Sequence, residues 1–159
     1  MRNFKSIAMI AVLALSNVSF AAQDGATLTV NNTSSDTVTA GNATLNWNLE
    51  TTAAGTGSLE WTTPASNSGN RKISAQLQEQ LPDFITSLTA EVKNITPGTG
   101  TGAPAVTLGL QGVDVVTSIP AFQVATSQVD YVASIAPSAR QGFNSGTQIV
   151  VNYTISSAN

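Results

Sequence analysis

An all-β domain, an antiparallel sandwich of the Ig-like or jelly-roll type, is what this sequence predicts. Short runs of alternating apolar and polar residues recur along the chain, with the period of a half-buried strand. Turn-forming clusters separate these runs at the spacing of a sandwich or barrel. Thr, Ser, Asn, Gly, Val and Ala dominate, and charged residues make up only 9% of the chain. Those three observations place about nine strands after an N-terminal leader.

The leader comes first. Arg2 and Lys5 open it, "IAMIAVLAL" (Ile7 to Leu15) gives a short apolar core, and Ser19 and Ala21 precede a cut before Ala22. That is the pattern of a cleaved secretory signal peptide over residues 1–21. The apolar stretch is about half the roughly 20 residues that a spanning anchor needs. Residues 22–159 then form one domain, long enough to bury a core. The mature chain is expected outside the cytoplasm: secreted, at the cell surface, or in a periplasm. The sequence contains no cysteine. A secreted eukaryotic domain of this size usually carries disulfides, so the expected source is a bacterium.

The strands follow in order. "ATLTVNN" sets Leu28 and Val30 on one face; "ATLNWNLE" turns Leu45, Trp47 and Leu49 inward; "SLEWTT" does the same with Leu59 and Trp61. If Leu49 faces Leu59, antiparallel pairing puts Trp47 opposite Trp61 about a turn centred on Ala54, and both indoles share a face. "RKISAQLQ" contributes Ile73, Ala75 and Leu77, and "SLTAEVKN" contributes Leu88, Ala90 and Val92. Between them Leu77, Leu81, Phe84, Ile85 and Leu88 also fit a helical face. Pro82 interrupts it, so "LPDF" is read as a turn between two strands, with a short helix as the alternative. "TPGTGTGAPA" (Thr96 to Ala105) predicts an exposed, mobile loop. "AVTLGLQG" (Val106, Leu108, Leu110), "VDVVTSI", "QVDYVASI" and a closing strand with Ile149, Val151, Tyr153 and Ile155 inward complete the series.

Composition excludes much chemistry. The chain has no histidine and no cysteine, so neither a Ser–His–Asp nor a Cys–His arrangement can form. A His- or Cys-ligated zinc site is equally impossible. Gly98, Gly100 and Gly102 lack the following Lys–Ser/Thr of a nucleotide loop. Glu50 and Glu60 could pair as glycosidase carboxylates, but both read as solvated. Asp24, Asp36, Asp114 and Asp130 are too scattered for a calcium loop and read as turn or surface residues. No enzyme activity, cofactor or metal is expected. Of six basic residues, losing Arg2 and Lys5 leaves four against nine acidic ones, a net charge of −5. Such a chain lacks the basic stripe that nucleic acid requires.

The leader, the "W-x-L" strand, the "ISAQLQEQLP" to "LTAEV" hairpin, "VTLGLQGVDVVTSI" and "VVNYTIS" together resemble small exported bacterial β-sandwich proteins. More broadly, the chain looks like subunits of bacterial surface fibres and biofilm matrix. That resemblance implies a non-enzymatic structural or adhesive protein that self-associates by lending a terminal strand to the next copy. The chain departs from chaperone–usher pilins, having neither a cysteine pair nor a penultimate tyrosine.

Two sets of candidate residues follow. For self-assembly, Ala26, Leu28 and Val30 alternate along a free N-terminal segment, residues 22–32, able to add to an open sheet edge. The more apolar residues 147–156 are expected to pair at home, since an uncovered flat edge templates aggregation. Deleting residues 22–32 is then expected to leave a folded monomer that cannot assemble. For a carbohydrate-binding module, the alternative, Trp47, Trp61 and Tyr131 would serve as exposed stacking platforms for a glycan.

Overall fold

Alternation along "RKISAQL" buries Arg71, Ile73, Ala75 and Leu77 while Lys72, Ser74 and Gln76 face outward, and the same rule builds the rest of the molecule. The computed structural model describes residues 9–10, 24–32, 36–47, 51–63, 70–121, 123–137 and 147–158. The predicted leader therefore lies outside the described residues except for Met9 and Ile10. Among the described residues twelve strands form: β1 (Met9–Ile10), β2 (Asp24–Asn32), β3 (Thr37–Ala40), β4 (Ala43–Trp47), β5 (Thr52–Thr62), β6 (Arg71–Leu77), β7 (Ile85–Lys93), β8 (Thr101–Gly102), β9 (Val106–Thr107), β10 (Val113–Ile119), β11 (Val124–Ile135) and β12 (Gln148–Ser157). The fold is all-β, with curled antiparallel layers around one core. Among the described residues no helix is long and apolar enough to cross a membrane.

The strands join in the order β8-β10-β6-β12-β2-β4-β5-β11-β7-β9, with β1 on β2 and β3 on β5. Among the described residues every pairing is antiparallel except one, β12 with β2. The "LPDF" turn forms as read: Ile85 N–H donates to Pro82 O at 2.8 Å, and strands flank it on both sides.

Three departures from the sequence reading have physical causes. The first is the Trp hairpin. Trp47 pairs with Ala53 and Asn46 with Ala54, while Trp61 lies opposite Val38 and Ala125. Leu49 lies outside the described residues, but this register moves the centre of the pairing away from Ala54, and "TAAGTG" is the first half of β5 rather than a turn. Its inward positions carry no large side chain because backbone fills the space. A Cβ on Gly55 would lie 2.3 Å from Thr44 O, and one on Gly57 2.9 Å from Gly41 O. Strands β3 and β4 bend across β5 at this point, and only glycine permits so close an approach.

The second departure is the stretch 96–105, which is largely exposed as read but is fastened to its neighbours. Thr99 is buried and accepts the Trp61 indole N–H at 3.2 Å, and β8 pairs with β10. From there the chain crosses to the far edge, where β9 pairs with β7. Leu108 N–H then donates to Leu88 O, and Leu77 N–H to Gly109 O, at 2.8 and 2.7 Å. Residues 99–109 therefore lace together the two edges of the curled sheet. The glycines that suggested looseness let a strap lie flat: a Cβ on Gly102 would sit 2.7 Å from Val92 O.

The third departure shortens "AVTLGLQG" to the two-residue β9. Leu108 is buried, whereas Leu110 is exposed. The chain leaves β7 at Leu108 to reach β6, so the alternation cannot continue.

Candidate functional site

The site with most structural content is the slot holding β2. Residues 24–32 are not a free arm but sit inside the molecule's own sheet. On one side Thr27 to Asn32 pair in parallel with Gln148 to Tyr153 of β12; on the other, Asp24 to Leu28 pair antiparallel with Trp47 to Ala43 of β4. Ala26 stands opposite Leu45, Leu28 opposite both Ala43 and Ile149, and Val30 opposite Val151. The closing strand behaves as read: Ile149, Val151, Tyr153 and Ile155 are all buried, and β12 pairs with β6 along its other edge.

The place of β2 in the strand order matters. Take it away and the continuous sheet parts into β8-β10-β6-β12 and β4-β5-β11-β7-β9. The edges of β12 and β4 would then face a gap one strand wide, each with a row of unpaired N–H and C=O groups.

A buried ion pair stands at the end of this slot. Asp36, immediately before β3, takes the Arg71 Nε–H at 2.8 Å on Oδ2, and both side chains are more than nine-tenths buried. The same guanidinium reaches Ser157 Oγ from Nη1 at 3.3 Å. Arg71 begins β6 and Ser157 ends β12, so the start of β3 is clamped to the β6–β12 half of the sheet. The sequence reading set Asp36 among turn or surface carboxylates; the structure buries it. An acidic residue between polar neighbours gives no sign of a partner 35 positions away.

The three aromatic candidates are corrected. Trp47, Trp61 and Tyr131 are each 1% exposed, so none presents a ring face to a glycan in this fold. Trp47 and Trp61 both belong to the core, as their apolar neighbours implied. Tyr131 on β11 meets Tyr153 on β12 through their hydroxyls, 2.6 Å apart. Burial pushes the Tyr131 hydroxyl up to about 12, and Tyr153 is raised well above its ordinary value for the same reason.

On the outer face of β5, β11 and β7 lies a shallow depression of about 310 Å³. Its polar wall is a network. Asp130 accepts from Gln128 Nε2 at 2.6 Å and from Thr56 Oγ1 at 3.1 Å, and Lys93 Nζ sits 3.0 Å from both Asp130 and Glu91. The Gln128 amide, then Lys93, holds the Asp130 carboxyl below its usual range, while Asp130 and Glu91 raise Lys93. These groups satisfy one another and tie three strands together at a solvated surface, where such pairs contribute little to stability. Asp114 is likewise paired, with Lys72 at 3.1 Å. Among the described residues no cluster of three metal-ligating side chains occurs.

Comparison with family models, characterised proteins and solved structures finds no match to this chain.

Proposed function

We propose that the protein is an exported, non-enzymatic structural or adhesive subunit that assembles with copies of itself, in a surface filament or matrix, by exchanging residues 24–32. One observation carries this reading. Among the described residues β2, early in the chain, makes the one parallel pairing, with β12, and lies between β12 and β4. A strand so placed can be supplied by a second copy with every backbone hydrogen bond reproduced, which is the economy of strand exchange. The low charge and Thr-rich outer faces suit a packed assembly more than a soluble ligand carrier. The glycan-binding alternative loses support, because the aromatics it needed are in the core.

Electron microscopy of residues 22–159 at rising protein concentration tests the proposal. Filaments that disappear when residues 22–32 are deleted are the expected result. Monomers at every concentration would overturn it.

A further inference from the structure

We infer that the Asp36–Arg71 pair is the pivot of that exchange, so that a second copy of this chain donates β2 alone while β3 stays at home; this rests on the strand-exchange reading above. Residues 24–32 leave the slot as a unit only if the chain is held somewhere shortly after Asn32. Shortly beyond β2 stands Asp36, which the buried guanidinium of Arg71 grips. Three residues separate Asn32 from Asp36, too few to carry β3 outward without breaking that pair.

The pair also preserves the acceptor. With β2 withdrawn, the β12 and β4 halves lose the strand that joins them in the sheet. Arg71 belongs to the β12 half through β6 and through Ser157, and Asp36 leads into β3, which pairs with β5 in the β4 half. The ion pair therefore bridges the two halves at the end of the gap and holds them one strand apart. A contact between bulky apolar groups could slide; a buried, hydrogen-bonded guanidinium–carboxylate contact fixes distance and direction.

The absence of cysteine makes the test clean. Two reporter pairs are chosen from residues directly opposite each other: Val30 with Val151, across the exchanged strand, and Thr39 with Glu60, across β3 and β5. Each member is replaced singly, giving Val30→Cys, Val151→Cys, Thr39→Cys and Glu60→Cys chains, and the two chains of each pair are mixed, assembled and oxidised. The pivot predicts disulfide heterodimers from the Val30→Cys and Val151→Cys mixture and none from the Thr39→Cys and Glu60→Cys mixture. No heterodimer from the first mixture would overturn strand exchange itself. Heterodimers from both would overturn the pivot alone, because β3 would then travel with β2. In an Asp36→Asn background the second mixture is expected to gain heterodimers; if that variant fails to fold, the two mixtures in the native background still decide.

Discussion

Tyr131 and Tyr153 meet hydroxyl to hydroxyl, 2.6 Å apart, at the middle of the core. They come from β11 and β12, on opposite sides of β2 in the strand order. Each polar tip is buried, and one hydroxyl donates to the other.

Removing one hydroxyl strands the other. Tyr131→Phe and Tyr153→Phe are each expected to destabilise the domain by about 1–3 kcal/mol, the cost of an unsatisfied buried polar group. The double replacement should cost less than the sum of the two. Urea unfolding of the three variants checks this, and strict additivity would argue against the bond.

Alkaline stability follows from the same pair. Both hydroxyls have folded-state values raised above the ordinary 10. The unfolded chain therefore sheds these protons first, and the stabilisation is complete below about pH 10 and lost as pH rises toward 12. The chain has two tyrosines, so absorbance at the tyrosinate band reads this pair alone. Ionisation is expected to coincide with unfolding; ionisation of a still-folded chain near pH 10 would contradict the burial.

The core tryptophans give a third outcome. Trp47→Ala is expected to cost about 3–5 kcal/mol, and acrylamide should quench the native emission weakly, because both indoles are 1% exposed. Strong quenching would return them to the surface.

Glycines separate by what a methyl group would meet. Gly55→Ala drives a Cβ toward Thr44 O and is expected to cost about 1–3 kcal/mol through overpacking. Gly109→Ala meets nothing within 4 Å and should fall within about 0.5 kcal/mol of the native chain. Thermal melts of the two variants make the comparison.

The buried ion pair behaves asymmetrically. Asp36→Ala leaves the Arg71 charge uncompensated and is expected to cost about 3–5 kcal/mol, whereas replacing both residues by apolar ones of similar volume should cost far less. Denaturation midpoints at low and high salt check this, since a pair this deep should respond little to screening.

What the sequence revealed depended on whether side chains or backbone occupied the interior. In β6, β7 and β12 each inward position is a side chain, and Ile73, Leu88, Val151 and Tyr153 declare the face by period alone. In the first half of β5 the interior is filled by the backbone of a crossing strand, so Gly55 and Gly57 look like turn residues and displace the register of the Trp hairpin. The strap through Thr99 and Gly102 misleads for a related reason, since its hydrogen bonds go to edges distant in sequence. Of the candidate assembly residues, Ala26, Leu28 and Val30 were visible by alternation, but their place beside β12 was not. A parallel partner leaves no local trace, and neither does the Asp36–Arg71 contact.

The pairing of Thr27 with Gln148 also orders events in time. A sheet whose middle strand is the earliest part of the domain and whose neighbour is the latest cannot be completed until the whole domain is available. Contacts of such long sequence separation form slowly, after the entropy of a very large loop has been spent. The β7–β11 ladder can form before β12 is available, so the β2 slot closes late in folding. In the exchange proposed above, a neighbouring copy of residues 24–32 would compete with the chain's own during that interval, and crowding of newly made chains would bias which of them is captured.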